Sequence, residues 1–275
     1  MTRLQPASAG IFGWPVAHSK SPVIHRFWLG KLGLDGDYSR FPVHPDALGA
    51  AIRALPALGL RGVNITVPHK IAVIDHLDTL ADSARAMGAV NTVTVTADGS
   101  IAGANTDIDG VLEPIAHLDL AGRSVMIAGT GGAARAAITA AVVAGAASVT
   151  VLARDRAKGE AMLANAGTAG SVLAFDAPWP DADQTALFFN ATSLGMAGQP
   201  PLPVDLSRLP VTTTVFDAVY APLETPLLAA ARARTMPVID GLQMLVGQAA
   251  TAFAAFYDAP APRQHDAELR ALLTR

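Results

Sequence analysis

Apolar and polar residues alternate in short segments of the chain, and most of these segments precede apolar residues spaced three or four apart. Alternation at period two predicts a half-buried strand, whereas the wider spacing predicts an amphipathic helix. The elements predicted for the first part of the chain are strand Gly10–Trp14, a helix from about Pro22, strand Tyr38–Val43, a helix from about Asp46, strand VNITV at 63–67, a helical stretch His69–Met87, and a hairpin whose strands NTVTVT and SIAGA flank Ala-Asp-Gly.

The same alternation restarts after Asp107. The strands predicted there are Ser124–Ala128, Ser148–Ala153, Leu187–Phe189, Val215–Asp217 and Val238–Ile239, with a helix after each of the first two. Two consecutive α/β sets predict two domains with mainly parallel sheets and a boundary near residue 106. Residues 136–153 carry no charge, but their alanine content and Gly145 favour a helix followed by a buried strand over a membrane span.

The composition narrows the class of protein. The 275 residues are 51% hydrophobic and 16% charged, which indicates a folded chain with a large core. A net charge of -3 offers no bulk positive field for nucleic acid or an anionic membrane, so any anion must be bound locally. The chain has no cysteine, which excludes disulfides and cysteine chemistry. The start, MTRLQPASAG, lacks the apolar core of a signal peptide, and we expect a cytoplasmic location.

A glycine-rich segment directly follows the predicted strand Ser124–Ala128. Residues 129–134 read GTGGAA, which fits the pattern G-x-G-x-x-A and opens an alanine-rich helix, so a dinucleotide site is favoured over a plain glycine turn. Gly129 would permit the tight turn, Gly131 would let a pyrophosphate approach, and Ala134 would allow close helix packing. The backbone N–H groups expected to face the phosphates are those of Gly131, Gly132 and Ala133.

The second predicted strand of this region ends in ARDRAK at 153–158. At this place NAD sites tend to carry an acidic residue for the ribose 2'-hydroxyl, whereas NADP sites carry an arginine for the 2'-phosphate. Arg154 and Lys158 favour NADP, and the two cations would share the helix start if Arg154 lies in its first turn. Asp155 argues mildly for NAD, but it is equally well explained as the N-cap of that helix.

The segment HSKSP at residues 18–22 precedes apolar residues at helical spacing. Ser21 before Pro22 is a good helix N-cap. Ser19 and Ser21 at a helix start can equally hold a carboxylate, with their hydroxyls and the positive end of the helix dipole. The spacing alone leaves both interpretations open.

Polar residues at the end of the VNITV strand mark a place where ligands meet parallel sheets. Lys70 lies just beyond this strand and Asp107 at the predicted domain boundary. Alone they are explained as a surface lysine and a helix cap, but together they could form a pair in which the aspartate orients a proton donor. Gln248 is a polar amide beside an apolar helical stripe and needs a partner where it is buried. The seven histidines lack metal-ligand spacing, and we expect no metal.

Eight short motifs follow one another along nearly the whole chain. They are GWPVAHSKSPVIH at 13–25, NITVPHK at 64–70, GAVNT at 88–92, GANTD at 103–107, GTGGAAR at 129–135, NATSLGM at 190–196, DAVYAPLETPLL at 217–228 and DGLQMLVGQA at 240–249. Together they resemble the shikimate dehydrogenase family, whose members reduce 3-dehydroshikimate with NADPH. The match departs from the family at Ala153-Arg154-Asp155, where the family often has N-R-T.

The resemblance implies roles for individual residues. It implies a catalytic pair, Lys70 and Asp107. The substrate-binding residues that it implies are Ser19 and Ser21 for the carboxylate, together with Thr66, Asn91, Tyr220 and Gln248. The cofactor-binding residues that it implies include Gly241 and Met244 on the nicotinamide side.

The resemblance also implies an α/β fold of two domains, with the active site in the cleft between them. Residues 1–106 plus 241–275 would form an N-terminal α/β substrate domain, and residues 107–240 a Rossmann-like NADP-binding domain. The implied reaction is the reversible NADPH-dependent reduction of 3-dehydroshikimate to shikimate in aromatic amino-acid biosynthesis. We expect a small-molecule substrate, no nucleic-acid or membrane partner, and a monomer or homodimer.

Three alternatives remain at this stage. An NAD-using quinate/shikimate dehydrogenase would differ in its cofactor and in its activity on quinate. A dinucleotide-binding regulatory protein would have lost catalysis, and the presence of both Lys70 and Asp107 argues against it. A folate-type methylene dehydrogenase shares the two-domain plan, but the pair of serines favours a small carboxylate substrate.

Overall fold

The computed structural model describes residues 7–180 and 182–274. Residues 1–6, on which the signal-peptide expectation partly rests, lie outside the described residues, as do Asp181 and Arg275. The first elements of the chain are β1 (Ala7–Gly13), α1 (Ser21–Leu32), β2 (Gly36–Pro42), α2 (Leu48–Arg53), β3 (Leu60–Ile65), β4 (Thr79–Leu80), α3 (Asp82–Met87), β5 (Thr92–Val95) and β6 (Ile101–Ala104).

The rest of the chain begins with a helix and continues as a strand–helix alternation. Its elements are α4 (Asp107–Ile115), β7 (Ser124–Ala128), α5 (Gly132–Val143), β8 (Ser148–Leu152), α6 (Arg156–Ala166), β9 (Gly170–Leu173), β10 (Thr185–Asn190), β11 (Thr214–Asp217), α7 (Pro226–Ala233), β12 (Val238–Ile239), α8 (Gly241–Tyr257) and α9 (Asp266–Leu273). The uncharged residues 136–153 thus form most of α5 and the strand β8, as predicted. No helix among the described residues has the length and apolar character needed to cross a membrane.

The chain divides into two compact units. The first contains the residues up to Thr106 and those from Gln248 onward, and the second contains Asp107–Gly247. On the C-terminal side this division falls inside α8, whereas the resemblance implied a domain boundary before Gly241. The assignment of these units as substrate-binding and NADP-binding domains stays a prediction.

The sheet of the first unit has six strands in the order β2-β1-β3-β5-β6-β4. Strands β1, β2 and β3 pair in parallel, whereas β5 runs antiparallel to both β3 and β6. The predicted hairpin is confirmed by the pairing of β5 with β6. Helix α2 packs over this sheet with Leu48 and Ile52, both buried in the main apolar cluster of the unit.

The sheet of the second unit is parallel in every described pairing, in the order β12-β11-β10-β7-β8-β9. Numbered from β7, this is the strand order of the Rossmann-like dinucleotide-binding folds, in which the order reverses between the first and fourth strands while all strands stay parallel. Helix α5 is rich in buried alanines, which allow a helix to approach the sheet closely. The predicted two-unit α/β fold with a Rossmann-like part is confirmed.

The strand predicted at VNITV is present as β3, but its limits and its half-buried character were predicted wrongly. Strand β3 ends at Ile65, so Thr66 and Val67 follow it, and Val67 is exposed. Val63, Asn64 and Ile65 are all buried, because β3 lies between β1 and β5 with both faces covered. The polar side chain of Asn64 tolerates this burial because it is hydrogen-bonded at both ends of its amide.

The prediction of a helical stretch over His69–Met87 was also wrong. The segment forms a 3-10 helix at Ala72–His76, the two-residue strand β4, and the short helix α3. The backbone N–H of Asp78 donates to the carbonyl oxygen of Ile101 at 2.8 Å, and the carboxylate of Asp78 accepts from the backbone N–H of Ile101 at 2.7 Å. This pairing with the edge of the sheet competes with helix formation and interrupts it.

Candidate active site

The serine segment lies between β1 and α1. Ser21 is the first residue of α1, and the N-cap position belongs to Lys20, whose side chain makes no capping hydrogen bond. The interpretation of Ser21 as the N-cap was therefore wrong, because the helix starts one residue earlier and places Pro22, which has no N–H to be capped, at its second position. Instead the Ser19 hydroxyl oxygen accepts from the Ser21 backbone N–H at 3.3 Å and lies 3.2 Å from the Ser21 hydroxyl.

Arg40 on β2 holds this serine segment from the neighbouring strand. Its Nε donates to the carbonyl oxygen of Ser19 at 3.0 Å, and its Nη2 donates to the same oxygen. Lys20 likewise donates to the carbonyl oxygen of Leu273 at the end of α9. The two serine hydroxyls are thus fixed beside each other at the start of a helix, close to a guanidinium.

Thr66 and Lys70 follow the carboxyl end of β3. The backbone N–H of Thr66 donates to Phe12 at 2.9 Å, which keeps the chain alongside β1 for one more residue. His69 is buried and its Nε2 pairs with the carbonyl oxygen of Val43 at 2.8 Å. The carbonyl oxygen of Lys70 accepts from Val90 at 2.8 Å, so backbone hydrogen bonds hold the segment at Thr66 and again at Lys70.

Asn91 is 3% exposed and lies just before β5. Its Oδ1 accepts hydrogen bonds from the Thr92 hydroxyl at 2.9 Å and from the Thr106 backbone N–H at 2.8 Å. Its Nδ2 donates to the Thr106 hydroxyl at 3.1 Å. The Asn91 side chain is therefore fixed by a network, rather than by packing alone.

These residues of the first unit share one edge of its sheet. Strands β1, β3 and β6 run in the same direction, so their carboxyl ends meet there, whereas the antiparallel β5 starts there. The expected site residues that the topology brings to this edge are Ser19, Ser21, Thr66, Lys70 and Asn91. The carboxyl edge of a sheet is where α/β proteins bind ligands.

The glycine-rich turn of the second unit has the geometry of a phosphate-binding loop. Gly129 follows β7 with φ of 110°, a conformation that disfavours any side chain, and an added Cβ would lie 3.0 Å from Thr192. Gly131 is the N-cap of α5 and brings no side chain to its N–H groups, and an added Cβ at Gly131 or Gly132 would enter open space. A pyrophosphate therefore has room at the uncapped start of α5.

The ribose end of the expected cofactor site lies after β8. Asp155 is the N-cap of α6, accepting from the Lys158 backbone N–H at 3.1 Å. Arg154 is exposed and precedes this cap, so the condition under which Arg154 and Lys158 would share the first helical turn is not met. The reason is that an aspartate caps a helix far better than an arginine does. With Asp155 as the N-cap, the first residue of α6 is Arg156.

Gly241 and Met244, expected on the nicotinamide side, lie after β12, and Tyr220, expected on the substrate side, lies after β11. Gly241 is buried where an added Cβ would lie 2.3 Å from the carbonyl oxygen of Ala218, so only glycine fits. Met244 is 9% exposed and lies one turn further along α8. Tyr220 follows β11 in the same loop as Ala218, and burial raises the pKa of its hydroxyl.

Sequence reasoning missed the polar centre that holds this loop. Asp217 is fully buried and accepts from Asn190 at 2.9 Å, from Thr225 at 2.7 Å and from the backbone of Val219 at 3.0 Å. Burial raises the pKa of Asp217, and these hydrogen bonds oppose the shift. Asn190 is the first residue of the motif NATSLGM, and Asp217 is the first residue of DAVYAPLETPLL. Their place in these motifs was a signal that could have identified them as structurally important.

Two predicted site residues lie next to the limits of the units. Asp107 follows Thr106 directly, is 8% exposed and is the first residue of α4. An acidic residue in the first helical turn is stabilised by the helix dipole. Gln248 is half-buried in the middle of α8 and is the first residue assigned to the other unit.

The sequence comparisons agree with this geometry. Residues 11–93 match the family model described as the shikimate dehydrogenase substrate binding domain. The shikimate dehydrogenase (NADP(+)) of Sphingopyxis alaskensis is 50% identical over 268 residues, which cover 96% of each chain. The chain belongs to the shikimate dehydrogenase family.

The solved structures of this fold include enzymes with different substrates. The Thermus thermophilus shikimate 5-dehydrogenase, in complex with NADP(H) and shikimate, has a TM-score of 0.85 and 33% identity, over 96% of this chain and 98% of that one. The ligand-free 5-ketofructose reductase of a Gluconobacter strain has a TM-score of 0.91 and 32% identity, over 98% and 99%. The fold of the family thus carries more than one carbonyl substrate, and the residues of the site must decide among them.

Proposed function

We propose that this protein catalyses the reversible reduction of 3-dehydroshikimate to shikimate with NADPH, in the biosynthesis of aromatic amino acids. The observation that carries the proposal is the meeting of Ser19, Ser21, Thr66, Lys70 and Asn91 at one sheet edge. Hydroxyl, amide and ammonium groups together suit a small polyhydroxy carboxylate. The close relatives at 40–50% identity that are named shikimate dehydrogenase (NADP(+)) support the same substrate.

The serine pair binds the substrate carboxylate in this proposal. The Ser21 hydroxyl is not used as a helix cap, and the Ser19 hydroxyl lies 3.2 Å from it. Two hydroxyls can each donate to one carboxylate, and such charge-assisted hydrogen bonds are about twice as strong as neutral ones. The start of α1 adds the positive end of the helix dipole.

Lys70 and Asp107 handle the proton in this proposal. When the ketone is reduced, the Lys70 ammonium gives a proton to the oxygen that becomes the hydroxyl, and in the reverse direction the neutral amine takes it back. Asp107 orients the ammonium and a neighbouring substrate hydroxyl. Positioned acid–base groups of this kind contribute roughly 100-fold to 10,000-fold to a rate.

The second unit holds the cofactor in this proposal. The residues present fit NADP, because the Gly129 turn and the uncapped start of α5 leave room for a pyrophosphate and Arg154 is exposed beside the ribose position. The residues that would hold NADP are Gly129, Gly131, Gly132, Ala133, Arg154, Lys158, Gly241 and Met244. The bound nicotinamide supplies or accepts the hydride of the reaction.

One assay tests the proposal. The purified full-length chain is mixed with shikimate and NADP, and the absorbance of the reduced nicotinamide is followed. We expect turnover with shikimate that is much faster than turnover with quinate, and faster with NADP than with NAD. The reduction of 5-ketofructose with NADPH is measured as a separate test. No rate comparable to that with shikimate is expected, because this sugar has no carboxylate for the serine pair.

Each contrary result selects another function. Equal rates on quinate, with a preference for NAD, would identify the quinate/shikimate alternative. No turnover of any of these substrates by a protein that still binds NADP would favour the regulatory alternative. The cytoplasmic location and the monomeric or homodimeric state expected from the sequence remain part of the proposal, and size-exclusion chromatography with light scattering measures the second.

A further inference from the structure

One buried carboxylate joins the two ends of the loop that carries Tyr220. This loop begins after Asp217, the last residue of β11, and ends at Thr225, the N-cap of α7. Oδ1 of Asp217 accepts from the Val219 backbone N–H at 3.0 Å, and its Oδ2 accepts from the Thr225 hydroxyl at 2.7 Å. Both ends of the loop are therefore bound to the same side chain, and Tyr220 lies between them.

The bond from Thr225 to this carboxylate is a strong one. Thr225 and Asp217 are both fully buried, and a hydrogen bond from a hydroxyl to a carboxylate is charge-assisted. The Thr225 hydroxyl has a single proton, which goes to Asp217, while its oxygen accepts from the Leu228 backbone N–H at 3.2 Å. One hydroxyl thus caps α7 and closes the loop.

The first half of the loop has two further contacts. The Ala218 backbone N–H donates to the carbonyl oxygen of Asn190 at 2.9 Å, and the carbonyl oxygen of Ala221 accepts from the Ala197 backbone N–H at 3.0 Å. These hydrogen bonds join the loop to the end of β10 and to the segment after it. Neither of them holds the second half of the loop to the first.

The second half of the loop depends on Thr225. Glu224 pairs with Arg232 at 3.4 Å, but both side chains are more than half exposed, and exposed ion pairs contribute little to stability. The buried bond from Thr225 to Asp217 is therefore the stronger connection. A short loop whose ends are joined has few conformations, so loss of this bond would give the loop more conformational freedom.

We infer that Thr225 is a positioning residue, which holds the Tyr220 side chain in place for the substrate by closing the loop onto the Asp217 carboxylate. This inference rests on the proposed role of Tyr220 in substrate binding. Asp217 also accepts from Asn190 at 2.9 Å, so a change of the carboxylate itself would disturb more than the loop. A change of Thr225 opens the loop and leaves the other hydrogen bonds of Asp217 in place.

The test replaces Thr225 with valine, which has nearly the same shape and no hydroxyl. KM for shikimate should rise about tenfold, because a loosened Tyr220 binds the substrate less well, while kcat changes by less than about threefold. KM for NADP should stay constant. Thr225→Ser keeps the hydroxyl and should retain the wild-type KM. An unchanged KM for shikimate in Thr225→Val, or the same increase in Thr225→Ser, would overturn the inference.

Thr213→Val is the matched control for a loss of stability. Thr213 is fully buried just before β11, and its hydroxyl donates to the Thr185 carbonyl oxygen at 2.7 Å, the same length as the bond from Thr225. We expect lower thermal stability and an unchanged KM for shikimate. An equal KM increase in Thr213→Val would overturn the inference, because general destabilisation would explain both. Thr225→Ala removes the same hydroxyl and keeps the test available if Thr225→Val does not fold.

A double-substitution cycle tests whether Thr225 acts through Tyr220. Tyr220→Phe lacks the hydroxyl that is to be positioned, so its KM for shikimate sets the upper limit of the effect. In this background Thr225→Val should have almost no further effect on KM. A full additional increase there would show that Thr225 acts by another route, and would overturn the inference.

A measurement without turnover separates this inference from the proposed function. The chain has three tyrosines, so labelling with fluorotyrosine gives three ¹⁹F signals, which tyrosine-to-phenylalanine variants assign. Tyr38 and Tyr257 belong to the aromatic cluster around His25 in the first unit, and their signals serve as internal references. The raised pKa of Tyr220 reflects its partial burial, so its signal reports how well the folded loop encloses it.

The ¹⁹F spectrum is recorded on the substrate-free protein. In Thr225→Val the Tyr220 signal should move towards that of an exposed tyrosine, and it should stay unchanged in Thr225→Ser and Thr213→Val. An unmoved signal in Thr225→Val would overturn the inference even if shikimate is the substrate. A moved signal would support the closing role of Thr225 even if another molecule is the substrate.

Discussion

The Asp155 carboxylate accepts a hydrogen bond of 3.1 Å from the backbone N–H of Lys158, and its second oxygen lies 3.4 Å from the Lys158 ammonium. The backbone hydrogen bond is the main cause that lowers the pKa of Asp155, and the Lys158 side chain adds to it. The carboxylate that argued for NAD is thus engaged at the start of α6. Arg154, just before this cap, becomes the first candidate for contact with a 2'-phosphate.

Arg154→Ala should remove most of the preference for NADP. KM for NADP should rise because a charge-assisted contact to the 2'-phosphate is lost, whereas KM for NAD should hardly change. Arg156→Ala is the control, since Arg156 is exposed two residues later but pairs with Glu160 at 2.7 Å. The measurement is kcat/KM with each cofactor. A wild-type kcat/KM that is equal for the two cofactors, or higher with NAD, would contradict the assignment.

Lys70→Ala should lower kcat by roughly 100-fold or more and affect shikimate binding much less, because a proton donor acts mainly in the transition state. Lys70→Arg retains the positive charge but cannot release its proton near neutral pH, so its kcat should also stay low. The readout is steady-state kinetics in both directions. A near wild-type kcat in Lys70→Ala, with only KM changed, would reduce Lys70 to a binding residue.

The double substitution of Ser19 and Ser21 by alanine should weaken shikimate binding and spare NADP binding. Each hydrogen bond lost to a charged carboxylate costs about 1.5 to 3 kcal/mol. Because neither hydroxyl caps α1 in the usual way, the thermal stability should fall only slightly. Ser39→Ala is the control, since the Ser39 hydroxyl on β2 accepts a hydrogen bond from Arg26 on α1. A large loss of NADP affinity in the folded double variant would refute the carboxylate assignment.

His25 makes the stability of the fold sensitive to acid. Burial lowers its pKa from 6.5 to about 3, and neither ring nitrogen has a hydrogen-bond partner among the described residues. Between these two values the unfolded chain binds a proton that the folded chain excludes. The free energy of unfolding is therefore fully retained above about pH 6.5 and falls by roughly 1.4 kcal/mol per pH unit towards pH 3 from this group alone.

His25→Phe should reduce this slope by the contribution of one proton and should raise stability at neutral pH, because a buried unsatisfied polar ring is replaced by an apolar one. The measurement is urea unfolding at a series of pH values from 7 to 4. His117→Gln, at an exposed histidine, serves as the control. An unchanged slope in His25→Phe would mean that other groups carry the acid sensitivity.

The parts of the fold that the sequence predicted well are those with local signals. Strand β7 was predicted at its observed limits, Ser124–Ala128, because a buried apolar segment ends at a glycine that must adopt a positive φ. The Gly129 turn and the start of α5 follow within a few residues. The spacing of residues along the chain therefore contained nearly all the information about this glycine-rich turn.

Strands that depend on distant partners were missed. Strand β4 has two residues and exists because it pairs with β6, which no local pattern reports. Strand β9 begins with Gly170, where an added Cβ would lie 2.0 Å from the carbonyl oxygen of Val149. A glycine that is required for close strand packing resembles a turn signal in the sequence, so this segment was not predicted as a strand.

The candidate site was predictable where motifs mark it, and its supporting residues were not. Tyr38 and Asn64 are 26 residues apart in sequence, and only the pairing of β1 with both β2 and β3 brings them to 2.6 Å. Asn64 was noted as one polar position of an alternating strand, which suggested exposure. Asn64 is buried because both faces of the sheet are covered at β3, and a buried amide must be hydrogen-bonded. This burial becomes visible only in three dimensions.

The aromatic cluster around His25 joins two parts of the chain that a ribosome makes at very different times. Trp28 on α1 is synthesised early, and its ring lies 5.4 Å from that of Phe253 on α8, which is made more than two hundred residues later. Since domains generally fold as their chain emerges, the apolar side of α1 has no covering partner during most of translation. We expect a product truncated before α8 to expose part of Trp28, whereas in the folded protein this indole is fully buried. The burial of Trp28 thus requires a part of the chain that is synthesised near its end.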